Sequence, residues 1–145
     1  LVKVKDILAQ KGGEVFSIDA GTPVLQAARL MSQRRIGALV VMAAGQVTGI
    51  FTERDVLNRV VAAGLVPGQT SVGQVMSHEV ICCGPETSLD EVHTIFKNRR
   101  IRHLPVVDDA GSLVGLISIG DLNAYHAVAQ EITIHYLHEY IYGRT

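Results

Sequence analysis

Tryptophan is absent from this 145-residue chain, and aromatic residues make up only 5% of it. Proteins that hold single-stranded nucleic acid stack bases on aromatic platforms, so that class is disfavoured. Cysteine is nearly absent as well: there are two, the neighbours Cys82 and Cys83. Adjacent cysteines rarely meet disulfide geometry and two make no framework, so a reducing compartment, the cytoplasm, is expected. Charge of one sign is missing too. Thirteen basic residues oppose fourteen acidic ones, for a net charge of -1. No bulk basic field exists to hold nucleic acid. No apolar run approaches the roughly 20 residues of a membrane span, and Lys3, Lys5 and Asp6 interrupt any leader-like start. No membrane partner is expected. The length falls short of the roughly 250 residues of a catalytic barrel. Neither a G-x-x-x-x-G-K-[ST] loop nor a G-x-G-x-x-G turn occurs, and no Ser–His–Asp or Cys–His order stands out. The reading is of a protein that is not an enzyme.

What is present is a folded chain that repeats itself. Hydrophobic residues are 48% and charged residues 19%, enough for a sizeable core. Residues 32–41 (SQRRIGALVV) resemble residues 97–106 (KNRRIRHLPV), 65 positions later. Thr22, Val24, Ala27, Leu30 and Met31 fall at the same offset on Thr87, Leu89, Val92, Ile95 and Phe96. After a one-residue insertion, residues 49–55 (GIFTERD) match residues 115–121 (GLISIGD).

Each copy predicts the same elements. Thr22-Pro23 reads as an N-cap with proline at the first helical position, and Thr87 as the second cap. Val24, Ala27, Ala28 and Met31 then mark one face of a helix, as do Leu89, Val92 and Phe96. Apolar runs 38–42 and 47–51 flank a turn and predict a hairpin, as do 103–107 and 113–117. Pro105, inside a strand, predicts an edge position. A second helix is expected to start near Thr52 and near Ser118, and a short strand at Val15–Ile18 and at Glu79–Cys82. The prediction is an α+β chain of two βαββα units, 1–63 and 71–145, linked by 64–70. Neither unit can bury both faces of its sheet, so the two should pack sheet to sheet with pseudo-twofold symmetry. In the long last helix, Tyr125, Ala129, Ile132, Tyr136 and Tyr140 form one apolar stripe, and Ile134, Leu137 and Ile141 another. Such a wide apolar arc predicts cover by a second chain, a homodimer.

The paired G-I-F-T-E-R-D and G-L-I-S-I-G-D motifs, each behind a hairpin of this spacing, resemble a CBS domain pair, or Bateman module. The likeness covers nearly the whole chain. The R-H-L-P-V-V run and the tail ending in Tyr140-Ile141-Tyr142-Gly143 resemble stand-alone bacterial members. The resemblance implies adenosine ligands: AMP, ADP or ATP, sometimes NAD(H) or S-adenosylmethionine, with no required cofactor. It also implies that each cleft draws on both repeats. One joins Ser118, Asp121, Arg102 and His103 to Val15, Phe16, Ile36 and Gly37. The other joins Thr52, Arg54 and Asp55 to Val80, Ile81 and Ile101.

The chemistry of these residues suits that ligand. An ionised Asp is acceptor-only, so Asp55 or Asp121 can take both hydroxyls of a ribose. Thr52 and Ser118, where strand meets helix, can face a phosphate. A plainer reading makes Thr52 and Ser118 N-caps and the two acids first-turn residues; their occurrence in register in both repeats favours ligand. Arg102 and His103 can neutralise phosphate, whereas the matching Gly37 and Ala38 carry no charge, so the Asp121 cleft is expected to be the tighter. His103 either hydrogen-bonds a loop as a neutral imidazole or faces phosphate, in which case protonation near its ordinary pKa of about 6.5 should tighten binding below neutrality.

Other signals read as structural. His135 and His138 lie i, i+3 on a helix, but nothing completes a metal site, so none is expected. Cys82 and Cys83 read as strand residues. Arg34-Arg35 and Arg99-Arg100 close the first helix of each repeat, favourably for its dipole. The functional expectation is a regulatory module that reports nucleotide occupancy to an unknown protein on another chain. An oligomerisation module with idle clefts is the alternative, and a nucleotide-processing enzyme ranks below both.

Overall fold

The structure, a computed structural model, describes residues 1–12 and 14–126. Helix α1 is Val4–Lys11. The first repeat follows with β1 (Ser17–Ile18), α2 (Val24–Arg34), β2 (Ala38–Ala43) and β3 (Gln46–Thr52). Helix α3 (Glu53–Asp55) then continues as π-helical turns over Val56–Val61, where Ala62 N–H donates to the Leu57 carbonyl at 2.9 Å. A 3-10 turn (Pro67–Gln69) leads to α4 (Val72–Val75). The second repeat contains α5 (Leu89–Arg99), β4 (His103–Val107), β5 (Leu113–Ser118) and a helix α6 over 119–126.

The periodic faces are buried as the spacing requires. Helix α2 buries Val24, Ala27 and Met31, and α5 buries Leu89, Val92 and Phe96, the same three places 65 residues on. The caps lie one residue later than expected. Pro23 is the N-cap of α2, and Ser88 caps α5 by accepting from Glu91 N–H at 3.2 Å. Thr87 instead accepts from Gly84 N–H at 3.0 Å and shapes the preceding turn. In the first hairpin Ala44 and Gly45 both have positive φ, 51° and 77°, the two-residue turn that matches strand twist.

The expected strand at Val15–Ile18 shrinks to Ser17–Ile18, which pairs in parallel with Val40 and Val41. The expected strand at Glu79–Cys82 does not form; a single bridge, Cys83 to Val106, stands in its place. Pro105 supplies the reason. In the first repeat Val40 N–H reaches the Phe16 carbonyl at 3.4 Å. The residue 65 positions later is Pro105, which has no N–H to give. The sheets are therefore β1-β2-β3 and β4-β5, and β4 is an edge strand.

The packed halves are not the covalent repeats. Val4 and Ile7 of α1 sit in the core of the second repeat, among Leu89, Val92, Leu104, Val106 and Ile117. Val72, Val75 and Met76 of the α4 segment sit in the core of the first, among Val24, Leu39, Val41 and Phe51. The backbone matches across the pseudo-twofold: Val4 N–H donates to the Thr87 carbonyl at 2.9 Å, and Val72 N–H to that of Thr22 at 2.8 Å. Each core thus takes the short helix that precedes the other repeat.

Two glycines permit this packing. A Cβ on Gly115 of β5 would lie 2.7 Å from Leu8, and one on Gly49 of β3 would lie 2.5 Å from Met76. On the opposite strand face Ala38, Val40 and Pro105 are buried outside the helix-side cores. Alternation turns them away from the helices, and the two sheets cover each other there. Of the expected dimer stripe, only Tyr125 falls within the described residues; residues 129–141, with His135 and His138, lie outside them. No described helix is long and apolar enough to cross a membrane.

Trimming Ile7 to Ala should cost about 2–5 kcal/mol in urea unfolding. Leu1→Ala, at a fully exposed side chain, should cost almost nothing. Equal stability of the two variants would mean that α1 is not part of the second core.

Candidate functional site

The ends of the hairpins and the starts of the helices behind them converge at the junction of the two halves. A cavity of about 520 Å³ opens there, within the range of small-molecule sites. The first repeat contributes Gly37, Ile50, Thr52, Glu53, Arg54, Asp55, Asn58 and Arg59 to its wall. Ser77 adds to that side, and the second repeat contributes Arg100, Ile101, Arg102, His103, Ser118, Ile119 and Gly120. Gly37 and His103 meet on its wall: a Cβ on Gly37 would lie 2.9 Å from Glu53 Oε1 and 3.3 Å from His103 Nε2. A side chain there would make the Glu53 carboxylate, the end of a flexible side chain, and the His103 imidazole give way.

Both motif aspartates fold back on the strand–helix corner. Thr52 N–H donates to Asp55 Oδ2 at 2.9 Å, and the Thr52 hydroxyl lies 3.4 Å from the same oxygen. Ser118 N–H donates to Asp121 Oδ2 at 2.8 Å, and Asp121 N–H returns a bond to Ser118 Oγ at 3.1 Å. The plainer reading as helix-capping residues is therefore realised in both repeats. It uses one carboxylate oxygen of each acid.

The remaining partners differ. Asp55 is buried, and its Oδ1 lies 3.6 Å from Arg59 Nε. Arg59 is held in turn by the carbonyls of Val75 and Met76, at 3.2 and 3.1 Å. Asp121 is met by Lys11, whose ammonium donates to Oδ2 at 2.8 Å and to the Leu116 carbonyl at 2.7 Å. Lys11 reaches it because α1 crosses to the second half. Nothing in the local sequence around either residue signals this pair.

Of the residues expected to bind ligand, Gly37, Thr52, Arg54, Asp55, Ile101, Arg102, His103 and Ser118 share the cavity wall. The expectation divided them between two clefts; in the structure they line one continuous cavity. The pseudo-twofold brings the Thr52 and Ser118 corners to the same junction. Asp121 stands behind its wall, turned to Lys11. Phe16 packs on the first core beneath the Arg34 guanidinium, 5.0 Å from its ring centre. Ile36 lines a separate hollow with Met31 and Val56, and Ile81 packs on the second core. Val15 and Val80 are half-buried away from the cavity. Sequence reading missed Glu53, Asn58, Arg59 and Arg100; Glu53 lies inside the T-E-R-D motif, and Asn58 and Arg59 stand three and four residues after its Asp55, one helical turn on.

The cysteines take no part in the site. Cys83 is buried and its thiol is pushed up to about 12, chiefly by desolvation, so it remains protonated and inert. No metal-binding cluster of His, Cys, Asp and Glu occurs among the described residues.

Known proteins share this architecture. The family model described as "CBS domain" matches twice, at residues 4–62 and 72–127. The chain is 36% identical over 119 residues to the CBS domain-containing protein YhcV of Bacillus subtilis, covering 82% of this chain and 81% of that one. Among solved structures, a CBS-domain containing protein from Agrobacterium tumefaciens superposes with a TM-score of 0.81 at 37% identity, over 86% of this chain and 99% of that one. The CBS domain pair of protein MJ0100, solved with 5-methylthioadenosine and S-adenosyl-L-methionine, shares the fold at a TM-score of 0.78 and 22% identity, over 89% and 98%.

His103 departs from its expected titration. Burial is the largest influence and pulls its pKa below the ordinary 6.5; Lys11 and Arg102 also lower it, against Glu53 and Asp121. The folded state therefore binds its proton less readily than the unfolded chain. His103 opposes folding only below about 6.5, and the stability it contributes is lost as pH falls through the lower folded value. The thermal midpoint should fall between pH 7 and 5, and His103→Gln should remove part of that fall. An identical pH profile for the variant would show that His103 titrates as it does in the unfolded chain.

Proposed function

We propose, from the premise that this chain belongs to the CBS domain family, that it is a non-catalytic regulatory module that binds an adenine nucleotide and signals its occupancy. The observation that carries this reading is the cavity at the junction. It gathers a hydroxyl–carboxylate corner from one repeat, Thr52 and Asp55, with Ser118, Arg102 and His103 from the other. A carboxylate oxygen not used in capping accepts ribose hydroxyls, and Arg102 meets phosphate, with the His103 imidazole placed to donate a hydrogen bond beside it. AMP, ADP and ATP are the favoured ligands, NADH and S-adenosylmethionine the next to test. A pair of this fold accommodates adenosine compounds, so the architecture is able to do so.

Occupancy becomes a signal because the ligand touches both halves. It stabilises the arrangement in which both walls fit it, and the response is limited by the difference in affinity between arrangements. The reader of that signal is a separate protein. Homodimerisation belongs to the same proposal, with exposed Leu57 and Val61 on the helix after the first hairpin as apolar surface for a second copy.

Calorimetry with AMP, ATP, NADH and S-adenosylmethionine tests the reading, and absence of heat with all four would leave an oligomerisation role. Asp55→Ala and Asp121→Ala should each weaken nucleotide binding about tenfold or more. Asp→Asn counterparts, which keep an oxygen for the cap, separate binding from folding. A larger loss at Asp121 would assign the ribose to the second-repeat corner beside Arg102 and His103; a loss confined to Asp55 would assign it to the first-repeat corner.

A further inference from the structure

Arg100 follows α5 with φ of 53°, in the left-handed region that glycine favours. Its counterpart 65 residues earlier, Arg35, follows α2 with φ of 55°. Asparagine and glycine fill such places at lower cost, so an arginine there is strained, and strain of this kind collects at functional positions. The two differ in what their side chains meet. Arg35 lines the shallow hollow beside Ile36, while Arg100 lines the junction cavity.

The charges of that cavity are unbalanced. Asp55 and Arg59 answer each other across 3.6 Å. Arg54, Arg100 and Arg102 form no ion pair or side-chain hydrogen bond among the described residues, and Glu53 is the one carboxylate of the wall in the same condition. Three unanswered guanidiniums thus face one unanswered carboxylate in a protein whose net charge is -1. The cationic excess is local. Arg54 stands on the first half and Arg100 and Arg102 on the second, so a bound anion is met from both sides. A guanidinium fork engages one phosphate group at a time, and three separate forks suit a chain of phosphates better than a single one.

We infer that Arg100 is a specificity-determining residue of the junction cavity, and that with Arg54 and Arg102 it selects a polyphosphate chain, hence a nucleoside triphosphate over a monophosphate. This rests on the nucleotide reading for the adenosine part only; the polyphosphate part stands by itself.

The test is calorimetry of the full chain with ATP, AMP and inorganic tripolyphosphate, for the wild type, Arg100→Gly and Arg35→Gly. Thermal midpoints taken without ligand accompany it. Wild-type protein should bind ATP about tenfold or more tightly than AMP, and should bind tripolyphosphate. Arg100→Gly should lose that preference and the tripolyphosphate, with a midpoint unchanged or raised by a few degrees because the strain is relieved. Arg35→Gly should keep both, which separates the side chain in the cavity from the shared backbone effect. Equal affinity of the wild type for ATP and AMP, or an unaltered ratio in Arg100→Gly, overturns the inference and leaves the nucleotide reading intact. Tripolyphosphate bound without any nucleotide bound overturns that reading and the nucleoside triphosphate part of the inference, and supports only its polyphosphate part. Silence with all three ligands overturns both.

Discussion

The architecture depends on the seating of two short helices against halves of the molecule to which they are not tied by repeat. Val4 and Ile7 complete the core beneath β4 and β5; Val72 and Val75 complete the one beneath β2 and β3. Each contact is close enough that the strand beneath carries glycine, Gly115 under Leu8 and Gly49 beside Met76. Neither repeat closes its own core, so the halves are interlocked by chain connectivity as well as by the contact of their sheets. A cavity between halves joined in this way has walls whose relative position is constrained. Ligand that bridges them meets elements already rooted in two cores.

The same crossing makes the halves unequal. It brings Lys11 onto Asp121, while Asp55 is answered by Arg59 from the helix that carries it. The two motif acids therefore start from different ion pairs despite their matching positions. A partly exposed pair such as Lys11–Asp121 contributes little to stability, about 1 kcal/mol or less. A ligand can compete for it at small cost. The second inequality is at the strand starts. Gly37 is small because Glu53 and His103 crowd it, whereas the matching Arg102 is exposed on the cavity wall. A pseudo-symmetric backbone thus carries an asymmetric set of charges, and the excess of guanidinium lies toward the second half.

Much of the fold was legible because it is written twice. The buried faces of α2 and α5 follow one apolar spacing, and the hairpins follow from apolar runs around turns. What escaped were features set by single groups at a distance. Pro105 reads in the sequence as an edge signal, yet its missing N–H also removes the bond that would hold a neighbouring strand, leaving the Cys83 bridge. The caps shifted by one residue because Ser88 reaches Glu91 N–H while Thr87 is taken up by Gly84. Of the site, the T-E-R-D corner and the R-I-R-H run were legible as chemistry. Their union in one cavity was not, since it depends on how the two sheets meet. Burial of His103 was equally hidden, and with it the direction of its titration.

The sequence by itself determined the repeat, the α+β elements and the residue types that suit a nucleotide, because periodicity and motif spacing are properties of the chain alone. Only the tertiary structure decided that α1 belongs to the second core and that Lys11 answers Asp121. It also decided that Arg54, Arg100 and Arg102 face one space. Those are encounters between residues up to 110 positions apart. They follow from packing across a pseudo-twofold, and no local pattern encodes them.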